Sequence, residues 1–210
     1  LGQNVNSYNY KGKNFSTLLE NVAKISGLKR IRYTSPHPQD ISMELLDVMS
    51  EYDNICNSIH LPLQSGSDSV LRRMNRTYTR KHFIELAKII RNKIPNAGIS
   101  TDIIVGFPGE TEEDFISTLS VMDEVKFDSA FTFKYSPRKG TKALEYEDHL
   151  DEEIKQKRLQ SIIALQKTHT EIRNQSYIGK IENVLIEKQS KRDSLKWAGR
   201  TDSNKWVIFD

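Results

Sequence analysis

The chain has 210 residues, enough for one large domain or one domain with a small appendage, and its apolar fraction of 37% allows a buried core. Its 31 Lys and Arg against 28 Asp and Glu leave a net charge of +3, and no apolar run approaches the roughly 18 residues that a membrane helix needs, which excludes a spanning helix. Cys56 is the only cysteine, which excludes an internal disulfide framework and a cysteine-only metal cage within this chain.

The opening residues, Leu1-Gly2-Gln3-Asn4-Val5-Asn6, have no Met, no basic stretch and no apolar core; they are not a signal peptide and read as part of something longer. Lys29 to Thr34 is strand-like and is ended by Ser35-Pro36-His37-Pro38, since each Pro biases its predecessor away from helix. Ser42 can cap a helix carrying Leu45, Leu46, Val48 and Met49. Ser58 to Leu63 is a second short strand, closed by Gln64-Ser65-Gly66-Ser67. Thr79 opens a helix with Phe83, Ile84, Leu86, Ala87, Ile89 and Ile90 at helical spacing, stopped before Pro95. Gly98 to Gly106 is the clearest buried strand, and Thr111 with Asp114 three residues on caps the next helix. Phe131 to Tyr135 is a further strand, followed by Ser136-Pro137-Arg138. From Asp151 to about Tyr177 runs one long helix with Ile154, Leu159, Ile162, Ile163, Leu165 and Ile172, and after Gly179 come short strands at Ile181 to Ile186 and Lys205 to Phe209.

This rhythm of strand and helix predicts an α/β fold with a parallel sheet and chemistry on the loops after the strands. About five strands are too few for an eight-stranded closure, so an open or partial βα barrel is expected, followed by the start of a small all-β module. The division is 1–150 for the barrel part, 151–177 for a connecting helix and 178–210 for the truncated β module.

Charge is uneven: residues 155–210 carry 12 Lys and Arg against 6 Asp and Glu, whereas the remainder carries 19 against 22. A basic C-terminal quarter fits a nucleic-acid-binding appendage, or simply a solvated face. Lys188, Lys191, Arg192, Lys196 and Arg200 are the candidate RNA contacts, with Trp206 expected in the core of the β module and Trp197 the better candidate for exposure. A second basic cluster, from Arg72 to Lys93, is opposed only by Glu85.

Among the loops, Gln64 can hydrogen-bond a polar ligand through its amide and Arg76 can fork onto a carboxylate; alternatively they are a loop Gln and a surface Arg. Asp102 sits inside an apolar run, where a carboxylate needs a partner, either a polar ligand group or a neighbouring loop. Gly106-Phe107-Pro108-Gly109-Glu110 is a tight turn that presents Phe107. Ser35 ends a strand and either faces a ligand or only stops the strand. His37 and His60 follow different strands and are not read as a metal pair, so no metal ligand is assigned.

Five motifs occur in order along the chain: Gly2-Gln3-Asn4-Val5-Asn6, Ser35-Pro36-His37-Pro38, His60-Leu61-Pro62-Leu63-Gln64-Ser65-Gly66-Ser67, Met74-Asn75-Arg76-Thr77-Tyr78-Thr79, and Thr101-Asp102 through Gly106-Phe107-Pro108-Gly109-Glu110-Thr111. Together they resemble the radical S-adenosylmethionine (SAM) methylthiotransferases, and among these the MiaB type, which methylthiolates isopentenyl-adenosine beside the tRNA anticodon. The end of the chain, from Tyr177-Ile178-Gly179-Lys180, resembles the first part of a TRAM domain, the RNA-binding module of those enzymes.

The resemblance implies SAM held by Gln64 and Arg76 at its methionyl end, with Gln3, Asn4, Ser35, Asp102 and Phe107 as further cofactor contacts. It implies a 5′-deoxyadenosyl radical that takes the C2 hydrogen of adenine, and two [4Fe–4S] clusters in a full-length protein. The family's Cys-x-x-x-Cys-x-x-Cys loop is not in this chain, so the clusters are expected upstream and the chain alone is expected to be inactive, with its catalytic residues unassigned. Further implications are tRNA as partner through its anticodon stem-loop, an electron donor such as flavodoxin, no membrane partner and a cytoplasmic location. Sibling enzymes acting on threonylcarbamoyl-adenosine or on a ribosomal-protein aspartate stay open, as does a non-catalytic RNA-binding barrel.

Overall fold

A computed structural model describes residues 4–34 and 36–210. They fall into two compact units, the first of Leu1–His60, Ile90–Ile99 and Tyr177–Asp210, the second of Leu61–Ile89 and Ser100–Ser176.

The first unit opens with an antiparallel hairpin of β1 (Asn9–Tyr10) and β2 (Lys13–Asn14), whose tight turn is carried by Lys11 and Gly12 at positive φ. Asn14 then caps α1 (Phe15–Ala23) by accepting from Thr17 N at 2.9 Å, and Ser42 caps α2 (Met43–Glu51) by accepting from Leu45 N at 3.1 Å. The two helices pack on each other and bury Phe15, Leu19, Leu45, Leu46 and Met49. The strand expected at 29–34 is reduced to one parallel bridge, Ile31 with Ile55. The reason lies in its neighbours, because Arg30 and Arg32 turn their guanidinium groups to carbonyls of residues 183, 200 and 201 and Pro36 soon follows. β3 (Ser58–His60) closes this stretch.

In the second unit the chain runs from Leu61 to Gln64 alongside a long strand. α3 (Asp68–Arg73) and α4 (Arg80–Lys93) follow, then β4 (Gly98–Val105), α5 (Glu112–Val125) and β5 (Ser129–Lys134), with the end of α4 and the first two residues of β4 counted in the first unit. Leu61 N donates to Ser100 O, Gln64 N to Asp102 O and Ile104 N to Gln64 O, at 2.7 to 2.9 Å, so the 61–64 segment lies parallel to β4. On the other side β4 pairs in parallel with β5, from Ser100 with Ser129 to Val105 with Lys134. Two parallel neighbours joined through helices are the βα units that the sequence pattern predicts, and the α/β class is confirmed. β4 buries Ile99, Thr101, Ile103 and Val105 on one face and leaves Ser100, Asp102 and Ile104 half-buried on the other. Thr111 and Asp114 form the expected capping box at the start of α5.

The long helix is present as α6 (Glu152–Gln175), but of the apolar residues named for it only Ile162 is buried. The buried positions are Lys155, Arg158, Ile162, Gln166 and His169, of which only Ile162 is apolar, whereas Ile154, Ile163 and Ile172 are exposed. The seam is held by polar bonds. Arg158 meets Glu110, Gln166 Nε2 donates to Phe127 O at 2.9 Å, His169 Nε2 lies 2.9 Å from Asp123 Oδ1 and Arg173 Nε donates to Asp128 at 3.2 Å.

The chain ends in the first unit as an antiparallel sheet ordered β6 (Leu185–Gln189), β7 (Trp197–Arg200), β8 (Trp206–Phe209). A three-stranded β sheet thus stands where the small β module is expected, with its first strand a few residues later than predicted and β7 in addition. Its partners in the first unit are specific: Arg30 reaches Asp202 at 2.7 Å, and Gly98 lies so close to Ser203 O that a Cβ there would collide.

Candidate functional site

The ends of the strands in the second unit surround a cavity of about 960 Å³. Its wall is assembled from Gln64, the end of α3, Asp102 and Ile104 of β4, Phe107, and the segment from Phe133 to Tyr146. It therefore sits where parallel βα units place their chemistry.

Each wall residue is placed by a local device. Gln64 is held at φ 65°, an unusual left-handed position, because its N–H and C=O are both tied to β4. Tyr78 Oη donates to the carbonyls of Pro62 and Leu63 just before it, at 2.9 and 3.1 Å, and burial pushes that phenol up to about 12. Gly66 follows with no room for a Cβ, which would lie 2.5 Å from Thr118 Cα. Arg76 is aimed by the end of α3: Asn75 takes φ 56° while its N–H bonds Arg72 O at 3.0 Å and Arg76 N–H bonds Leu71 O at 2.8 Å. That pair of bonds is a Schellman stop, for which Asn is a favoured residue.

Phe107 is presented by a turn clamped from behind. Gly106 and Gly109 take φ 70° and 76°, and Glu110 Oε1 accepts from Gly106 N at 2.9 Å and from Arg158 Nη1 at 2.6 Å. Burial pushes the Glu110 carboxyl up, opposed by the Gly106 N–H and by the Arg158 guanidinium. In front, Phe107 meets Tyr135 edge-on at 5.0 Å and Tyr146 at 6.3 Å. Arg73 lies over the Tyr146 ring at 4.4 Å and grips both oxygens of Asp148, whose backbone O accepts from Gly109 N at 2.8 Å.

Of the residues expected to bind cofactor, Gln64, Arg76, Asp102 and Phe107 line this one cavity. Asn4 belongs to the first unit, where its amide donates to Asp40 at 2.7 Å. Gln3 and Ser35 lie outside the described residues. Tyr135, Arg138, Lys142 and Tyr146 also line the cavity beyond those candidates, as does Arg72 from the basic cluster at 72–93. Three buried polar atoms on the wall, Arg73 Nε, Arg76 Nε and Tyr135 Oη, have no hydrogen-bond partner among the described residues.

Of the residues expected to bind RNA, Lys188 and Arg200 both lie over the Trp206 ring, at 4.6 and 4.4 Å, while Lys196 pairs with Asp210 at 3.2 Å. Lys191 and Arg192 are exposed in the β6–β7 connection. The expectation of a core Trp206 is corrected: it is 47% exposed, as open as Trp197 at 44%, because both flanking cations stack on its ring instead of apolar side chains.

No three His, Cys, Asp or Glu among the described residues gather into a metal-binding group. Cys56 is buried, its thiol is pushed up by that burial, and its Sγ lies 4.0 Å from Asp202. These residues do not fit an iron–sulfur cluster, whose ligands are thiolates.

The radical SAM superfamily model matches residues 2–122, more than half of the chain, and the chain belongs to that superfamily. Along its whole length it is 48% identical to the tRNA-2-methylthio-N(6)-dimethylallyladenosine synthase of Carboxydothermus hydrogenoformans and 49% identical to that of Clostridium novyi, covering 48% and 47% of those proteins. The chain thus spans about half the length of the curated relatives it matches. Among solved structures, coproporphyrinogen III oxidase from Escherichia coli, described as a radical SAM enzyme, shares the fold with a TM-score of 0.54 at 23% identity, over 64% of this chain and 31% of the other.

Proposed function

We propose that this chain is the SAM-holding and substrate-presenting part of a tRNA methylthiotransferase, which adds a methylthio group to C2 of N6-isopentenyladenosine at position 37. The observation that carries the reading is the cavity that gathers Gln64, Arg76, Asp102 and Phe107. The identity of 48–49% along the whole of this chain to relatives named tRNA-2-methylthio-N(6)-dimethylallyladenosine synthase supports the same reading. SAM, when bound, supplies the radical and methyl chemistry. The chain's own residues hold and orient it: Arg76 takes the carboxylate, Gln64 donates its amide, Asp102 accepts from ribose hydroxyls, and the Gly106–Gly109 turn lays Phe107 against adenine. Phe107, Tyr135 and Tyr146 form an apolar wall that keeps water from the reacting atoms.

The wider reading assigns residues 1–150 to the C-terminal part of the barrel, 151–177 to the connecting helix and 178–210 to a TRAM-like module for tRNA. It places the ligands of two [4Fe–4S] clusters in residues preceding Leu1, in a cytoplasmic protein that meets the anticodon stem-loop and takes electrons from a donor such as flavodoxin. The coding sequence upstream of Leu1 tests this, because a Cys-x-x-x-Cys-x-x-Cys within some tens of residues is required.

The site itself is tested by Arg76→Ala in the intact protein. Losing a charged hydrogen bond to the carboxylate weakens SAM binding by about 1.5–3 kcal/mol, roughly 10- to 150-fold, measured by equilibrium titration. Unchanged affinity in a folded variant returns Arg76 to the surface and removes the site.

A further inference from the structure

The cavity carries more positive charge than SAM can use. Arg72, Arg73, Arg76, Lys134, Arg138 and Lys142 line it, against the single carboxylate of Asp102. Arg73 is neutralised by Asp148, and Lys134 by Glu152. Arg72, Arg76, Arg138 and Lys142 have no carboxylate partner among the described residues. SAM offers one carboxylate beside an ammonium and a sulfonium, so it can neutralise one guanidinium and brings two positive groups of its own. Arg76 is the one held deepest, with a buried Nε. The three others are left over.

Their placement is not that of a randomly solvated surface. The segment from Ser136 to Leu150 contains Arg138, Lys139 and Lys142 and also Glu145, Glu147 and Asp148, so its sequence is balanced. The fold sorts it: Arg138 and Lys142 face the cavity, Glu145 and Glu147 do not line it, and Asp148 is gripped by Arg73. Phe133 stands among these cations with 52% of its surface exposed. A volume of about 960 Å³ is at the top of the range for one small-molecule site, which leaves room beside the cofactor.

We propose that Arg72, Arg138 and Lys142 form a phosphate-binding rim on this cavity that seats the RNA backbone, with Phe133 as a stacking surface for the base entering it. This inference rests on the tRNA reading above and adds to it a second contact surface, separate from the C-terminal sheet. Cations on unpaired phosphates combined with an exposed aromatic are the means by which proteins hold single-stranded loops.

The test is Arg138→Ala/Lys142→Ala in the intact protein, both residues being exposed and outside any ion pair among the described residues. Binding of tRNA is titrated across a salt series, with SAM affinity measured on the same preparation. Two lost phosphate contacts lower the slope of log K against log salt by about 1.4, which is about 25-fold in affinity for each decade of salt below 1 M, while SAM affinity stays put. Wild-type affinity for tRNA with an unchanged slope in the variant overturns this inference and leaves the proposed function standing. A wild type without measurable tRNA affinity overturns both. Loss of SAM affinity at an unchanged tRNA slope assigns the cations to the cofactor and overturns the rim. So does a variant that loses affinity for polyglutamate but not for tRNA, which would mark an acidic-protein surface.

Discussion

Positive charge gathers in two places in this molecule, and the two are built differently. On the C-terminal sheet most cations already have work within the fold: Lys188 and Arg200 stack on Trp206, Arg200 also reaches Glu187 at 3.6 Å, and Lys196 reaches Asp210. Around the cavity of the second unit, Arg72, Arg138 and Lys142 have no such employment among the described residues. Residues 155–210 carry 12 Lys and Arg against 6 Asp and Glu, yet the cavity has the more available charge. Density of Lys and Arg along a chain measures solubility and long-range attraction; which of them can meet a ligand is decided by what stands on the neighbouring strand.

The comparison yields a division between engaged and open cations that stability measurements can break. The largest effect belongs to Arg158, whose side chain is 8% exposed against a Glu110 that is 1% exposed. Arg158→Met leaves a buried carboxylate uncompensated and lowers unfolding free energy by about 3–5 kcal/mol in denaturant titration. Arg158→Met/Glu110→Gln recovers part of the loss. A drop below 1 kcal/mol for the single variant would put Arg158 among the open cations.

Next comes Arg30, which holds Asp202 and accepts no substitute for its bonds to the carbonyls of Arg200 and Asn183 at 2.8 and 3.3 Å. Arg30→Met is expected to cost about 1.5–3 kcal/mol, the scale of hydrogen bonds to a charged group. The same bonds make deletion of everything after Tyr177 a poor probe of RNA binding, since it would strip Arg30 and Arg32 of their partners. Substituting Lys191 and Arg192, which are exposed, separates the two effects.

The smallest effect sharpens the comparison from the anionic side. Asp114 is raised by desolvation but lowered by more through Ser67, Ser69 and Thr111, and ends below its ordinary 3.8. A depressed folded value means its stabilisation is complete above pH 3.8 and is lost as pH falls through the folded value. Asp114→Asn should therefore flatten the acid limb of a thermal-unfolding series while costing about 0.3–1 kcal/mol at neutral pH. An acid limb identical to wild type would show that its hydroxyl partners contribute nothing.

Legibility in the sequence followed how local each determinant is. β4 and the capping box of α5 could be read directly, since alternation and a Thr-to-Asp spacing are properties of a few adjacent residues. α1 was passed over even though Asn14 and its apolar spacing announce it, and the β1–β2 hairpin is too short to show alternation. The buried face of α6 is not legible from apolar periodicity, because Arg158, Gln166 and His169 are buried by partners distant in sequence. At the cavity, Gln64, Arg76, Asp102 and Phe107 stood out as polar or turn residues beside strands. Arg138, Lys142 and Tyr146 did not, because nothing local states which way the 136–150 segment faces.

A polar seam also sets what kind of genetic change α6 can absorb. A greasy interface tolerates small slips, since one methyl group serves nearly as well as its neighbour. Bonds such as Gln166 to Phe127 O and His169 to Asp123 have a single address each. One residue inserted after Arg158 would rotate everything beyond it by about 100° and carry Ile162, Gln166 and His169 off their partners together. The spacing from Arg158 to Arg173 is accordingly fixed to the residue, while the outer face, with Ile154, Ile163 and Ile172 in the open, is free to change letter by letter.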